Sequence, residues 1–205
     1  MLKSKYYLLL PVVALTVALS SCAHTKIVST WKDPEYQGHP KKILVHGMAR
    51  SPNIQIMFEN QLVEQLEEHG MVALASYRFM PDSLVIDKEA MKKVVKENGI
   101  DTIFIAGPKS RKELQTLRPG EMSYSTAVYA DPDDGFFAAV SGVTYKPGTY
   151  AEEDVLAEMV LYDVSTRKRI WWAISDTYVE NTRAEEVNPA VNRIMKILLD
   201  DKIIP

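Results

Sequence analysis

Cysteine is almost absent: Cys22 is the only one in 205 residues. No disulfide can form within the chain, and no cysteine-based metal cluster can be built from it. Histidine is nearly as sparse. His24, His39, His46 and His69 are scattered singly, with no metal-ligand spacing among them, so neither a metal nor a cofactor is expected. Neither sign of charge dominates, since 24 basic and 27 acidic residues leave a formal net charge of −3 without long runs. Nucleic-acid binding needs a basic face, and that class is excluded. Repeats and low-complexity tracts are missing. Only 9 glycines are present, and the one phosphate-loop candidate, Gly107-Pro108-Lys109, lacks the second glycine such a loop requires. Nor is there a membrane-spanning run: the longest apolar stretch, Tyr6 to Ser20, falls short of the roughly 20 residues a spanning helix needs.

That stretch has another reading. Lys3 and Lys5 precede it and small residues close it, which is the architecture of a secretory signal peptide over residues 1–21. Leu19-Ser20-Ser21-Cys22 resembles the lipobox of bacterial lipoproteins, in which Leu, two small residues and Cys specify cleavage and lipidation. The resemblance implies that Cys22 carries a diacylglyceryl group and usually an acylated amino terminus. Each buried methylene stabilises membrane attachment by roughly 0.8 kcal/mol, so two or three chains hold firmly where one does not. A lone cysteine in an exported protein would otherwise be a thiol open to oxidation. The leader has two lysines and no acid, so the mature chain is two units more negative than the precursor. Residues 22–25 form a short tether and 26–205 suit a single domain.

Along that domain, Lys26 to Trp31 reads as a strand, broken by Asp33-Pro34 and Gly38-His39-Pro40. Lys42 to His46 is a short apolar strand. Ser51-Pro52 starts a helix that carries Ile54, Met57, Phe58, Leu62 and Leu66 at helical spacing and stops at Gly70. Val72 to Tyr77 follows as a strand. Asp87 caps a helix with Met91, Val94 and Val95 on its inner face, which ends at Asn98-Gly99, and Asp101 to Ala106 is the next strand. Val155 to Val164 and Arg169 to Val179, joined by Ser165 to Lys168, read as an antiparallel hairpin. Asn188-Pro189 is expected to start the last helix, with Val191, Ile194, Met195 and Leu198 on one face. An earlier start at Thr182-x-x-Glu185 would place Pro189 inside it. The predicted fold class is α/β: a mixed sheet from a β-α-β-α-β unit, then a long antiparallel hairpin and a C-terminal helix. Residues 108–153 form an irregular insertion rich in turn residues and aromatics.

The lipobox, Trp31 with Asp33-Pro34, the Lys42–Val45 strand, and Tyr162-Asp163-Val164 followed by Ile170-Trp171 together resemble a family of uncharacterised Gram-negative lipoproteins with a single domain of unknown function. By element order alone, the chain also resembles the TolB N-terminal region. The same is true of the outer-membrane lipoprotein activators of penicillin-binding proteins and the curli-export lipoprotein. The resemblance implies periplasmic, outer-membrane-associated proteins that bind other envelope components, and it brings no catalytic residues.

Other constellations read as ordinary structure. Asp131, Asp133 and Asp134 open like a calcium loop, but Gly142 stands where the bidentate glutamate belongs, so a polar turn is expected. Glu67-Glu68, Glu152-Glu153 and Glu185-Glu186 read as solvated charge, and no nucleophile sits in a recognisable elbow. His69 at a helix C-terminus suits the dipole there. Trp171 and Trp172 are adjacent on a strand, so one belongs to the core while the other packs under a helix or lines a surface patch. With Phe136, Phe137, Tyr145 and Tyr150 they are the candidate partner contacts.

The resulting expectation is a non-enzymatic binding or assembly module of the cell envelope. It would be tethered by lipid to the membrane, have an envelope protein as partner, and lack nucleic acid, metal or cofactor. Ala23 after the cysteine, where aspartate favours inner-membrane retention, points to the outer membrane, facing the periplasm. The alternatives are a small-ligand or lipid-binding carrier and a periplasmic hydrolase.

Overall fold

A computed structural model describes residues 27–49, 51–80, 87–110, 155–176 and 184–205. They form a six-stranded mixed sheet with three helices, the expected α/β class. The strands are β1 (Ile27–Lys32), β2 (Lys42–Gly47), β3 (Val72–Ala75), β4 (Thr102–Ser110), β5 (Val155–Asp163) and β6 (Lys168–Ser175). The helices are α1 (Pro52–Glu68), α2 (Lys88–Asn98) and α3 (Ala184–Asp200). The strand order is β1-β6-β5-β4-β2-β3. β4, β2 and β3 run parallel, while β5, β6 and β1 alternate in direction.

Both faces of the sheet are apolar, as the uninterrupted runs in β2 and β4 require. On one face, Ile43, Val45, Phe104, Leu161 and Trp171 meet α1 and α3 through Phe58, Leu62, Leu66, Val191, Ile194 and Leu198. On the other, Leu44, Ile103, Ile105, Val160 and Tyr162 meet α2 through Met91, Val94 and Val95. Successive residues of β2 and β4 thus serve opposite cores, the period of two that a strand imposes. A register shift between Leu161 and Tyr162 puts an extra residue into β6, so Ile170 and Trp171 both join the α1/α3 core.

Local chemistry explains the boundaries. Asp87 accepts hydrogen bonds from the amides of Glu89 and Ala90 at 2.9 and 3.1 Å, the expected N-cap of α2. Gly99 closes that helix at φ 61°, a conformation favouring glycine. The carboxylate of Asp101 accepts from the amides of Lys41 and Lys42, tying the starts of β2 and β4 together.

Four expectations need correcting. β3 stops at Ala75 rather than Tyr77, because Ser76–Arg78 coil into a 3-10 turn whose Ser76 hydroxyl and Tyr77 amide are held by α1. The insertion begins later than 108, since Gly107-Pro108-Lys109 is part of β4 and pairs with Glu158, Ala157 and Leu156. Pro108 is tolerated because β2 ends opposite Ala106, leaving β4 paired only with β5 beyond that point. The hairpin strands are Val155–Asp163 and Lys168–Ser175, and residues 177–179 lie outside the described set. Finally, α3 starts at Ala184 with Pro189 inside it. Val187, 1 % exposed, extends the stripe of Ala190, Val191 and Ile194 by one turn. Its burial is worth about 1.5–2 kcal/mol, which offsets part of the roughly 3 kcal/mol that a proline inside a helix costs.

The C-terminus is pinned from two sides. Lys32 Nζ donates to the carbonyls of Asp201 and Lys202 at 3.2 and 3.0 Å, a cation at the negative end of α3. Trp171 Nε1 donates to the Asp201 carboxylate at 2.7 Å.

Candidate functional site

From β2 the chain reaches β3 through α1 on one face, then passes back over β2 to β4 through α2 on the other. In open α/β sheets, the crevice outside the carboxyl ends of strands at such a reversal is the common ligand position. Here that position holds His46 and Gly47 at the end of β2, Met48 after it, Ser76 and Tyr77 after β3, and Gly107 in β4.

A buried polar cluster is built at this point. Its centre is Glu59, on the inner stripe of α1 one turn after Gln55. Glu59 Oε1 accepts from the Gly47 amide, Gln55 Nε2 and Ser76 Oγ, each at 2.9 Å. Oε2 accepts from the Tyr77 amide at 3.0 Å. Ser76 gives its only proton to Glu59, so it accepts from His46 Nδ1–H at 2.6 Å. His46, Glu59 and Ser76 are each 0 % exposed. Burial pushes the Glu59 carboxyl above its ordinary value, outweighing the four hydrogen bonds that favour the charged form.

The chemistry available to this set is narrow. Nucleophilic triads place histidine between the serine and the acid, with the serine oxygen facing substrate. In this cluster the serine is central, its proton is committed to the acid, and its oxygen is shielded. The carboxylate is fully buried among its four donors, out of reach of a substrate's proton. The arrangement acts as a latch: α1 grips the ends of β2 and β3 through two backbone amides and a hydroxyl. Among the described residues the strand ends at this point are closely packed. A Cβ on Gly47 would come within 2.8 Å of Phe58 Cδ1, and one on Gly107 within 2.9 Å of Met48 Sδ. Phe58 and Met48 are each 1 % exposed.

Trp171 is the core tryptophan, fully buried beneath α3, and so offers no surface to a partner. Trp172 is half-buried against the α2-side core and donates from Nε1 to Glu158 at 2.7 Å. Beside it on the same face, the Arg169 guanidinium lies 5.6 Å from the Trp31 ring centroid. His39 donates from Nδ1 to the Ile203 carbonyl, and His69 to the Gln65 carbonyl at the end of α1. Glu67 and Glu68 are exposed there, as expected. Among the described residues no three His, Cys, Asp or Glu side chains converge on a metal position. Cys22, Leu19, Ser20, Ser21, Phe136, Phe137, Tyr145 and Tyr150 lie outside the described residues.

Glu59 and Ser76 escaped the sequence reading, although a signal for Glu59 was present. Gln55 and Glu59 interrupt the stripe of Phe58, Leu62 and Leu66, and a carboxylate on a helix's buried face requires partners. Which partners it finds depends on the β3 turn, which carries no pattern of its own.

No protein-family model and no curated protein sequence matches the chain. Among solved structures, a point mutant of the PelC dodecamer from Paraburkholderia phytofirmans is similar, with a TM-score of 0.42 and 12 % identity over 83 % of this chain and 95 % of that one. A second PelC dodecamer structure from the same organism gives 0.41 and 12 %, over 85 % and 95 %. A likeness of this degree carries no argument about what this chain does.

Proposed function

We propose that this chain is a bacterial lipoprotein, cleaved before Cys22 and lipidated there, whose domain is a non-enzymatic binding or assembly module at the periplasmic side of the outer membrane. The observation that carries the proposal is Leu19-Ser20-Ser21-Cys22 behind a lysine-flanked apolar segment, with the only cysteine of the chain at the modified position. Its chemistry is self-consistent, because lipidation consumes the one thiol that oxidation would otherwise reach. The domain's first strand begins at Ile27, so the tether is short.

A binding role rather than catalysis is supported by the state of the buried carboxylate. Glu59 is saturated with donors and fully buried, and it serves the fold. The proposed partner contacts are Phe136, Phe137, Tyr145, Tyr150 and the half-buried Trp172, without Trp171. In-cell photocrosslinking from position 172, followed by mass spectrometry of the adducts, tests this. A discrete adduct with one envelope protein is expected, and an absence of adducts from every aromatic position would defeat it.

A further inference from the structure

If Cys22 carries the lipid, the topology of the sheet decides which side of the domain meets the membrane. β1 starts at Ile27, opposite Ser175 at the end of β6; Ser175 pairs with Ala157 near the start of β5, and Ala157 with Pro108 near the end of β4. Ala106 then pairs with Gly47, and Val45 with Ala75. The start of β1 therefore shares one edge of the sheet with the carboxyl ends of β6, β4, β2 and β3. Five residue steps separate Cys22 from Ile27, at most about 17 Å of extended chain. Roughly 5–7 Å of that crosses the headgroup layer. The start of β1 is therefore held within about 10–12 Å of the headgroup layer.

Two independent features mark the same edge. Three large apolar side chains are exposed among the described residues, and two of them, Val28 (57 %) and Phe79 (40 %), project from it. Phe79 sits in the turn after β3, next to exposed Arg78. The third, Val72, lies at the opposite edge. The helices also share an orientation. α1 and α2 begin near this edge, while α3 ends at the opposite one beside Lys32. α1 is charged against its own dipole: it has no acid in its first turn, no side-chain cap from Ser51 and no base in its last turn, where Glu67 and Glu68 stand exposed. An isolated helix is destabilised by that arrangement.

We infer that the sheet edge bearing Val28, the α1 start at Pro52-Asn53 and the Arg78-Phe79 turn is the membrane-apposed face of the domain, resting on the lipid surface. This rests on the lipidation of Cys22. The test uses that chemistry, since a lipidated Cys22 leaves no free thiol and an introduced cysteine becomes the only one. Full-length lipidated variants Asn53→Cys, Phe79→Cys, Glu68→Cys and Lys168→Cys are labelled with bimane. They are then inserted in phosphatidylethanolamine–phosphatidylglycerol vesicles containing headgroup-quencher lipid. α1 is about 25 Å long, so its two ends sample different depths. Labels at 53 and 79 should be quenched about twofold or more over those at 68 and 168, the contrast expected for an interfacial layer of about 5–10 Å. Equal quenching at the four positions, or stronger quenching at 68 and 168, overturns the orientation. A protein with no diacylglyceryl mass on Cys22 and no vesicle binding overturns the lipoprotein reading, and the orientation with it.

Discussion

Replacing Glu59 with alanine should be among the most damaging single changes to this fold. The substitution leaves the Gly47 and Tyr77 amides without their acceptor, while Ser76 can turn its proton to His46 only if the imidazole changes tautomer. Each orphaned buried donor costs about 1–3 kcal/mol, and Gln55, 1 % exposed, loses its partner as well. Part of this is returned because a buried carboxylate no longer has to be desolvated. The expected net loss is about 3–5 kcal/mol, a large fraction of a domain's usual stability. Urea unfolding followed by tryptophan emission is a suitable assay, because Trp171 is fully buried in the core that α1 covers. The m-value should be unchanged while the midpoint falls. A loss below about 1 kcal/mol would show that the carboxylate is dispensable and that the latch reasoning is wrong.

Three further outcomes follow from the same geometry. Burial raises the Glu59 pKa above its ordinary 4.5, so its proton-linked stability is complete below that value and is lost as pH rises through the folded-state value. Relative to Glu59→Gln, the wild type should therefore gain stability as pH is lowered from neutrality towards 4.5, and a difference independent of pH in parallel urea titrations would contradict this. Gly47→Ala should cost about 1–3 kcal/mol, because its new Cβ meets the packed Phe58 ring, and Gly107→Ala should cost less, because it meets the flexible end of Met48. Thermal unfolding ranks the pair, and the reverse order would be inconsistent with the contacts. Lys32→Met should lower stability by about 1 kcal/mol by freeing two carbonyls at the end of α3, and hydrogen exchange should rise first in residues 198–204.

How much was legible beforehand depends on where the information lies. Hydrophobic periodicity located α1, α2 and the β4–β5–β6 core, because Phe58, Leu62, Leu66, Met91, Val94 and Val95 are spaced by the helix itself. Chain order gave the parallel unit followed by the hairpin. Local propensity misjudged two termini. At α3 it gave weight to Pro189 and missed the burial of Val187, a tertiary gain that no single-residue preference reports. At β3 it continued the strand through Ser76 and Tyr77, whose conformation is set by Glu59 from another element. The latch was hidden for the same reason: Glu59 and the strand-end groups it grips are 12 to 18 positions apart and meet only after the parallel unit is folded. Adjacent on a strand, Trp171 and Trp172 face opposite ways, as the two cores bear out.

Everything proposed about function depends on Cys22, and intact-mass analysis of the membrane-extracted protein tests it most directly. The predicted species begins at Cys22, lacks residues 1–21 and carries a diacylglyceryl group with or without an added acyl chain, and Cys22→Ser should leave an unprocessed precursor. A mature protein that begins elsewhere, or that begins at Cys22 with an unmodified thiol, would contradict the lipoprotein assignment.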